Sequence, residues 1–529
     1  MKRIIVLLLT SALLLSGCAI NVENGGTPSG KESKTPIEGG VLNLSTYPPD
    51  TLNPLATQYS SVRDFLYLVY ESLFVVEEDL SAKGVLASGY TASEGNTVYT
   101  VDIAEGIKFH SGAPLTAADV TATFEYIQKY PSVYAENLAD VASYRAKGNS
   151  VVITLKKPKA DFVNNLDFPI LPKGLTGADF AEANENFTPN GTGRYRYLKT
   201  NRYKSVELEK NPDWRGADRV YIPSVAVRYL KDNDSMLYAF NSGETDLITT
   251  DRGRWGEFSY TGNMRTFEVT GTKYVYMGLN TRSSAFADSE LRDALNTVID
   301  KDVLIDGALF SHAEPARSPI TPKAYFAGEK TVKTAKKTVE EKKSFLKQKN
   351  LSFYLMYNEE SSRKKEIAEL IKTQLAECGT DVVLSAVDFQ TYCDRVASGN
   401  YQAYIGEVEI GADSDLGFMF NRAPVTVTSE DGETEQNVPS EPSGTALSDF
   451  SSSELDSAIA NLNAAADKNS RSVAYKNLAD YFAAILPQIP LLHMNDAMFS
   501  SRRIKGKIGK NLTNFYADLG DIYIDYKTN

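Results

Sequence analysis

Stretches of period two alternate along this chain with stretches of period near 3.6, the spacings that put apolar side chains on one face of a strand or a helix. Gly40-Val-Leu-Asn-Leu-Ser45 alternates and predicts a first strand, followed by the turn-rich Tyr47-Pro-Pro-Asp-Thr-Leu-Asn-Pro54 and a helix near Val62 to Tyr70. Thr97 to Ile103 alternates again, and Ile107 to Leu115 reads as a strand giving way to a turn. Thr116 with Asp119 three residues on makes a capping-box start for a helix whose Val120, Phe124 and Ile127 face inward. Further on, Leu351 to Tyr357, the helix of Ile367, Leu370, Ile371 and Leu375, and Asp381 to Val387 spell strand, helix, strand with short links. That order predicts a right-handed βαβ unit with parallel strands. Leu455, Ile459 and Leu462, then Leu478, Phe482 and Ile485, predict two amphipathic helices ending at Pro487 and Pro490, and the class is mixed α/β.

Two segments stand apart from this pattern. Lys330 to Lys349 is rich in Lys and Glu and reads as a solvated helix and linker face, while Asn421 to Ser448 suggests a protruding hairpin with an Asp-Gly turn. At the N-terminus, Lys2 and Arg3 precede an apolar run from Ile4 to Leu15 and then Leu15-Ser16-Gly17-Cys18, the order of an export signal. The run is shorter than the ~20 residues of a spanning helix. Leu-Ser-Gly-Cys resembles the lipobox of bacterial lipoproteins, in which Cys18 is acylated and becomes the first mature residue. An ordinary secretory peptide is the alternative. Asn21 to Pro36 is mostly Gly, Ser, Thr and Pro and reads as a tether.

The composition, 42% hydrophobic and 23% charged, is that of a packed globular chain, and 529 residues exceed what one core supports, so two or three domains are expected. The formal charge of −12, and −14 once Lys2 and Arg3 leave with the signal, argues against nucleic acid as a partner. Cys378 and Cys393 cannot make a disulfide scaffold; a single pair is open, as are two buried thiols. His110, His312 and His493 stand apart from one another and from cysteine, so no metal-ligand spacing occurs, and His110 reads as a hydrogen-bonded structural histidine. Nucleophile elbows, phosphate loops and dinucleotide fingerprints are missing from the sequence, and neither a catalytic residue nor a cofactor is expected. A carboxylate pair such as Asp413 and Asp415 leaves a secreted hydrolase as the distant alternative.

A set of motifs recurs in fixed order through most of the chain: Thr51-Leu-Asn-Pro54, Val69-Tyr-Glu-Ser-Leu73, Gly106 to Val120, Gly191-Thr-Gly-Arg-Tyr195, Glu209-Lys-Asn-Pro-Asp-Trp214, Ser242 to Leu247, Leu291-Arg-Asp-Ala-Leu295 and Leu486-Pro-Gln-Ile-Pro-Leu491. This order resembles the family-5 extracellular solute-binding proteins, with Gly106 to Val120 its most specific part. The resemblance implies a periplasmic-binding-protein-like fold of type II, two α/β lobes with a hinge plus an extra domain inserted in the first. It places the signal at 1–17, the tether at 18–38, the first lobe at 39–72 and 191–272, the extra domain at 73–190, the second lobe at 273–498, and the return to the first lobe at 499–529. It implies a small peptide as ligand, ABC transporter permease subunits as partners, no enzymatic activity, a monomer, and a place on the outer face of the bacterial cell membrane through a lipid anchor. A nickel chelate, oligosaccharide or opine is the alternative solute.

For the site, the resemblance implies an aspartate just after a second-lobe strand, here Gln402 to Ile410, paired with the ligand's α-amino group. That position falls on Asp413, with Asp415 at the second acidic position; loop aspartates that only cap a turn are the alternative. The family's usual tryptophan is replaced by Ile410, and a proline after the second acid by Leu416, two departures from the peptide-binding pattern beside the expected site. Glu407 and Glu409 add charge nearby or are simply solvated. Tyr47 and Pro48, with Pro49, match the loop bordering the pocket, and Tyr274, Tyr276 and Asn280 the strand near the lobe crossover, where core packing is the alternative role for the tyrosines.

Overall fold

The computed structural model describes residues 36–177, 187–249, 264–328, 336–420, 450, 452–509 and 511–525. The expected signal, Cys18, most of the tether and the expected hairpin between Asn421 and Ser448 lie outside them.

Where the sequence alternates, strands form. Val41–Thr46 buries Leu42, Leu44 and Thr46 on one face and pairs in parallel with Ser224–Tyr229, which continues antiparallel into Ser205–Lys210 and then Tyr195–Asn201. A second sheet, antiparallel throughout, runs Ala87–Ser93, Val98–Ile103, Ser150–Leu155, Val141–Lys147. The helix Ala117–Lys129 covers it, opened by the reciprocal Thr116/Asp119 capping box and burying Val120, Phe124 and Ile127. Phe124, Val151 and Ile153 belong to the same continuous core as Leu42, Leu44, Val225 and Val227, so the inserted sheet and the first sheet share their apolar interior.

The third sheet has seven strands. Its order is Leu247–Thr249, Gln488–Ser501, Met264–Leu279, Ala403–Glu409, Ser352–Asn358, Asp381–Val387, with Ala313–Pro315 added beside Gln488–Ser501. The βαβ unit is present: Ser352–Asn358 and Asp381–Val387 are parallel and joined by the helix Ser362–Ala376.

Two strands of this sheet are long, 16 residues in Met264–Leu279 and 14 in Gln488–Ser501, and they connect the two lobes. Val269 and Met498 lie in the core just described, whereas Val275, Met277, Ile489 and Leu491 lie in a second core with Leu291, Leu304 and Ile371. Between these halves the ladder loses register, between Thr270 and Tyr274 and again between Val275 and Tyr276. Beyond that point alternation sorts the side chains: Val275, Met277 and Leu279 face the second core, while Tyr274 and Tyr276 join a third cluster. This third cluster holds Leu455 and Leu462 of the helix Ser453–Ala464 and Leu478 and Phe482 of the helix Lys468–Ile485. It also holds Val76 and Leu80, which come from the inserted part of the chain. The architecture is a two-lobed α/β fold with sheets in both lobes.

Some expectations shift. The first helix is Ser60–Leu66 and gives way to turns, with Leu68 and Val69 amides donating three residues back instead of four. Residues 107–115 form no strand; a single bridge, Lys108 to Pro114, closes a turn in which Gly112 has φ of 85°. Along Gln488–Ser501, Met494 lies in the second core and Met498 in the first. No disulfide joins Cys378, a buried thiol, to Cys393.

Candidate ligand-binding site

The strand Ala403–Glu409 ends in a loop that folds on itself. The Ile410 amide donates to Thr272 O at 3.0 Å, tying the loop's start to the long strand, and the Ile410 side chain is buried in the third cluster. Ser414 adopts a left-handed φ of 61°, and its amide donates to Gly411 O at 2.8 Å. In this tight turn the Asp415 amide reaches Asp413 Oδ1 at 3.1 Å and the Gly417 amide reaches Asp415 Oδ1 at 3.0 Å. Both aspartates therefore cap turn amides, and both also do more.

Asp413 is buried, 5% exposed. Its Oδ2 accepts from Asn165 Nδ2 at 2.9 Å and forms an ion pair with Lys159 Nζ, also at 2.9 Å. Lys159 Nζ in turn lies 2.6 Å from Asp140 and 3.7 Å from Asp415. Asp415 Oδ2 meets Lys157 Nζ at 3.1 Å, and Asn463 Nδ2 donates to its Oδ1 at 3.0 Å. Burial opposes the Lys159 charge, but Asp413 and Asp140 outweigh it and raise the pKa of the ammonium. Burial likewise pushes the Asp415 carboxyl up, yet the Gly417 amide and the two lysines hold it below its ordinary value.

This loop is one side of a seam. From the inserted chain, Asn164 Nδ2 donates to both Leu80 O and Ala412 O at 2.8 Å, and the Ala160 amide donates to Asn463 O at 2.7 Å. Asn96 Nδ2 reaches Ala465 O at 2.8 Å. Arg471, 1% exposed, donates from Nη2 to Asp413 O at 2.8 Å and from Nη1 to Leu462 O at 3.1 Å. Its Nε stands 3.1 Å from Asp161 Oδ2, and its guanidinium carbon lies 4.5 Å from the Phe326 ring centre.

Of the expected site residues, the structure thus gathers Asp413, Asp415 and Ile410 in one loop, with Tyr274 and Tyr276 in the apolar cluster that Ile410 joins. The two tyrosines are fully buried and stacked, ring centres 5.3 Å apart. The Tyr276 and Tyr404 hydroxyls are 3.0 Å apart, and Gln488 Nε2 donates to the Tyr274 hydroxyl at 3.2 Å. Asn280 sits past the other end of the strand, where Nδ2 donates to Tyr401 O at 3.1 Å and Oδ1 accepts the Arg282 amide at 3.2 Å. Tyr47 is half-buried in the first lobe, its hydroxyl donating to Asn233 Oδ1 at 2.8 Å, and Pro48 beside it is exposed.

Glu407 is neither solvated nor available as spare negative charge. It is 7% exposed and held by Arg363 at 2.8 Å and Lys273 at 2.9 Å. Burial works against its charge, but these cations keep its carboxyl far below the ordinary range. Glu409 is exposed and accepts from the Thr272 hydroxyl. His110 is hydrogen-bonded as read: its Nδ1 accepts the Gly191 amide at 3.3 Å and its Nε2 lies 3.1 Å from Gly193 O. Among the described residues no group of three or more His, Cys, Asp or Glu side chains is placed to hold a metal ion, and no helix is long and apolar enough to cross a membrane.

Residues 81–424 match the model of the bacterial extracellular solute-binding proteins, family 5 (middle), and the chain belongs to this family. Oligopeptide-binding protein AppA of Bacillus subtilis (strain 168) is 25% identical over 425 residues, covering 74% of this chain and 77% of AppA. Its solved structure in complex with a nonapeptide matches with a TM-score of 0.61 at 21% identity, covering 93% of this chain and 100% of that one. Glutathione-binding protein GsiB of Salmonella typhimurium (strain LT2) is 24% identical over 499 residues, 90% of each chain. The structure of NikZ from Campylobacter jejuni in complex with Ni(L-His) has a TM-score of 0.61 at 19% identity, covering 91% of this chain and 97% of that one.

Proposed function

We propose that this chain is the lipid-anchored, extracytoplasmic receptor of an ABC-type importer, a monomer that captures small peptides by closing its two lobes and hands them to the membrane permease. The observation that carries the reading is the pair of long strands, Met264–Leu279 and Gln488–Ser501, that pass from one core to the other and lose register between Thr270 and Tyr274, beside a seam built on the Asp413 loop. Such a pair of strands suits a hinge. AppA is named an oligopeptide-binding protein, and its solved complex holds a nonapeptide, which favours a peptide over the other solutes. Ligand is placed against Ile410, Asp413 and Asp415 on one side and the Tyr47-Pro48 turn on the other; Tyr274 and Tyr276 meet it as the lobes part, and Asn280 holds the turn past the end of their strand. Cys18 carries the anchor. Capture and release, not bond-making, is the activity.

Separate thermal-shift screens of the mature chain against peptides, oligosaccharides, opines and nickel chelates test the reading. A ligand that binds only the folded state at a hundred times its Kd adds about 2.7 kcal/mol, which raises the melting midpoint. A shift with peptides is expected. A shift confined to one of the other arms overturns the choice of solute.

A further inference from the structure

The geometry points to Lys159 as a tethered competitor for the ligand's ammonium at Asp413, a residue that sets the site against peptides with a free amino terminus. This rests on the peptide reading above and narrows it to peptides whose end at Asp413 is uncharged, such as those with an acylated N-terminus.

Lys159 Nζ lies 2.9 Å from Asp413 and 2.6 Å from Asp140. Its main chain is fixed on both sides, the amide donating to Asn96 O at 3.2 Å and the carbonyl accepting the Tyr99 hydroxyl at 2.7 Å. The backbone fixes where the side chain starts, and the Asp413 and Asp140 carboxylates hold the ammonium at its end. Asn165 takes a second position on the same Asp413 oxygen at 2.9 Å, and the Asp415 amide takes one on the other oxygen at 3.1 Å. Three donors then crowd a carboxylate that accepts about four.

A ligand ammonium that reaches this carboxylate must either displace Lys159 or stand close beside it. In a buried site, like charges so near each other oppose binding. The cluster of Asp140, Asp413, Asp415, Lys157 and Lys159 keeps one surplus negative charge, but its exposed end is elsewhere. Asp140 and Lys157 are 22% and 51% exposed at the side chain, against 7% and 10% for Asp413 and Lys159. An uncharged peptide end meets no repulsion there, and selectivity arises from an element that works against the competing ligand.

The test immobilises the full mature chain and offers an equimolar pool of random pentapeptides, half with free and half with acetylated N-termini, the captured fraction being read by mass spectrometry. The wild-type protein is expected to favour the acetylated form by at least about threefold. Lys159→Gln should shift the ratio at least tenfold toward free amino termini, and adding Asp413→Asn should cancel that shift, because the two variants act on one interaction. Equal retention of the two forms by the wild-type protein, or any preference for free amino termini, overturns the proposal, whether or not the variants fold. So does a folded Lys159→Gln protein with an unchanged ratio. Retention of neither form overturns the peptide reading and this inference with it.

Discussion

Arg471 and Asp161 form a buried ion pair, Nε to Oδ2 at 3.1 Å, that ties a helix of the second lobe to the inserted chain. The Nε–H does not point along this contact, so the pair is electrostatic more than hydrogen-bonded, while Nη1 and Nη2 are spent on Leu462 O and Asp413 O. Tyr325 donates its hydroxyl to both Asp161 oxygens, at 3.0 and 2.9 Å. Burial raises the Asp161 carboxyl, and Arg471 is the largest influence drawing it back down.

Removing the cation from such a pair strands the carboxylate, at a typical cost of about 3–5 kcal/mol. Arg471→Met keeps much of the apolar stem and is expected to lose that amount in urea unfolding. Arg471→Lys restores charge but not the planar reach to two carbonyls, and should recover only part of it. A loss below about 1 kcal/mol for the methionine variant, on the scale of a surface pair, contradicts a load carried at this position.

The contrast between what local pattern reveals and what it hides is sharp around this seam. The βαβ unit and the capped helix Ala117–Lys129 are visible, because period and capping are properties of neighbouring residues. The acidic loop was visible through its resemblance to a family. Lys159, Asn165 and Arg471 were not, since they are far from Asp413 in sequence and meet it only through tertiary contact. The basic run Lys156-Lys-Pro-Lys159 was the one available signal, a cationic loop with no stated partner. Glu407 misled for the same reason: a glutamate in a strand reads as solvated until Arg363 and Lys273 are brought against it.

Asp64 gives a pH dependence with a definite sign. Burial lifts its carboxyl from 3.8 to about 6, against the pull of Arg63 and of Asn514, whose Nδ2 donates to Oδ1 at 2.8 Å. The folded state then holds a proton that the unfolded chain has released, so stability falls as pH rises from about 4 to about 6 and the loss is complete above that. At about 1.36 kcal/mol for each pKa unit the shift is worth about 3 kcal/mol, which solvent screening of this partly exposed side chain cuts to roughly 2 kcal/mol. Asp64→Asn does not titrate. Its stability relative to the parent should improve by that amount between pH 4 and pH 7 in urea melts, and a difference that stays flat across this interval contradicts the assignment.

Lipidation at Cys18 is expected from the lipobox-like Leu15-Ser-Gly-Cys18 and the tether that follows it. An acyl chain contributes roughly 0.8 kcal/mol per buried methylene, so losing the acceptor should move the protein from the membrane to the soluble fraction. Cys18→Ser is to be compared with the parent by fractionation and by the mass of the mature N-terminus. Membrane retention of a Cys18→Ser chain whose signal has been removed means the anchor lies elsewhere.

Whether the lobes move about Gly271 is open to a direct measurement. The two long strands lose register between Thr270 and Tyr274, and a Cβ on Gly271 would stand 2.8 Å from both the Met494 carbonyl and the Asp496 carboxylate. The strands approach so closely there that only glycine fits without a shift, and the Met494 carbonyl is main chain that cannot swing aside. Gly271→Ala should therefore force the crossing apart and cost about 1–3 kcal/mol in urea unfolding, in the range of other overpacked sites. If this is the pivot, small-angle scattering of the parent shows a smaller radius of gyration with saturating peptide than without, and Gly271→Ala, still folded by circular dichroism, shows a reduced change. An unchanged radius in the parent, with binding confirmed by calorimetry, removes hinge closure from the account. An alanine variant that is as stable as the parent and contracts as fully leaves closure intact but moves the pivot away from Gly271.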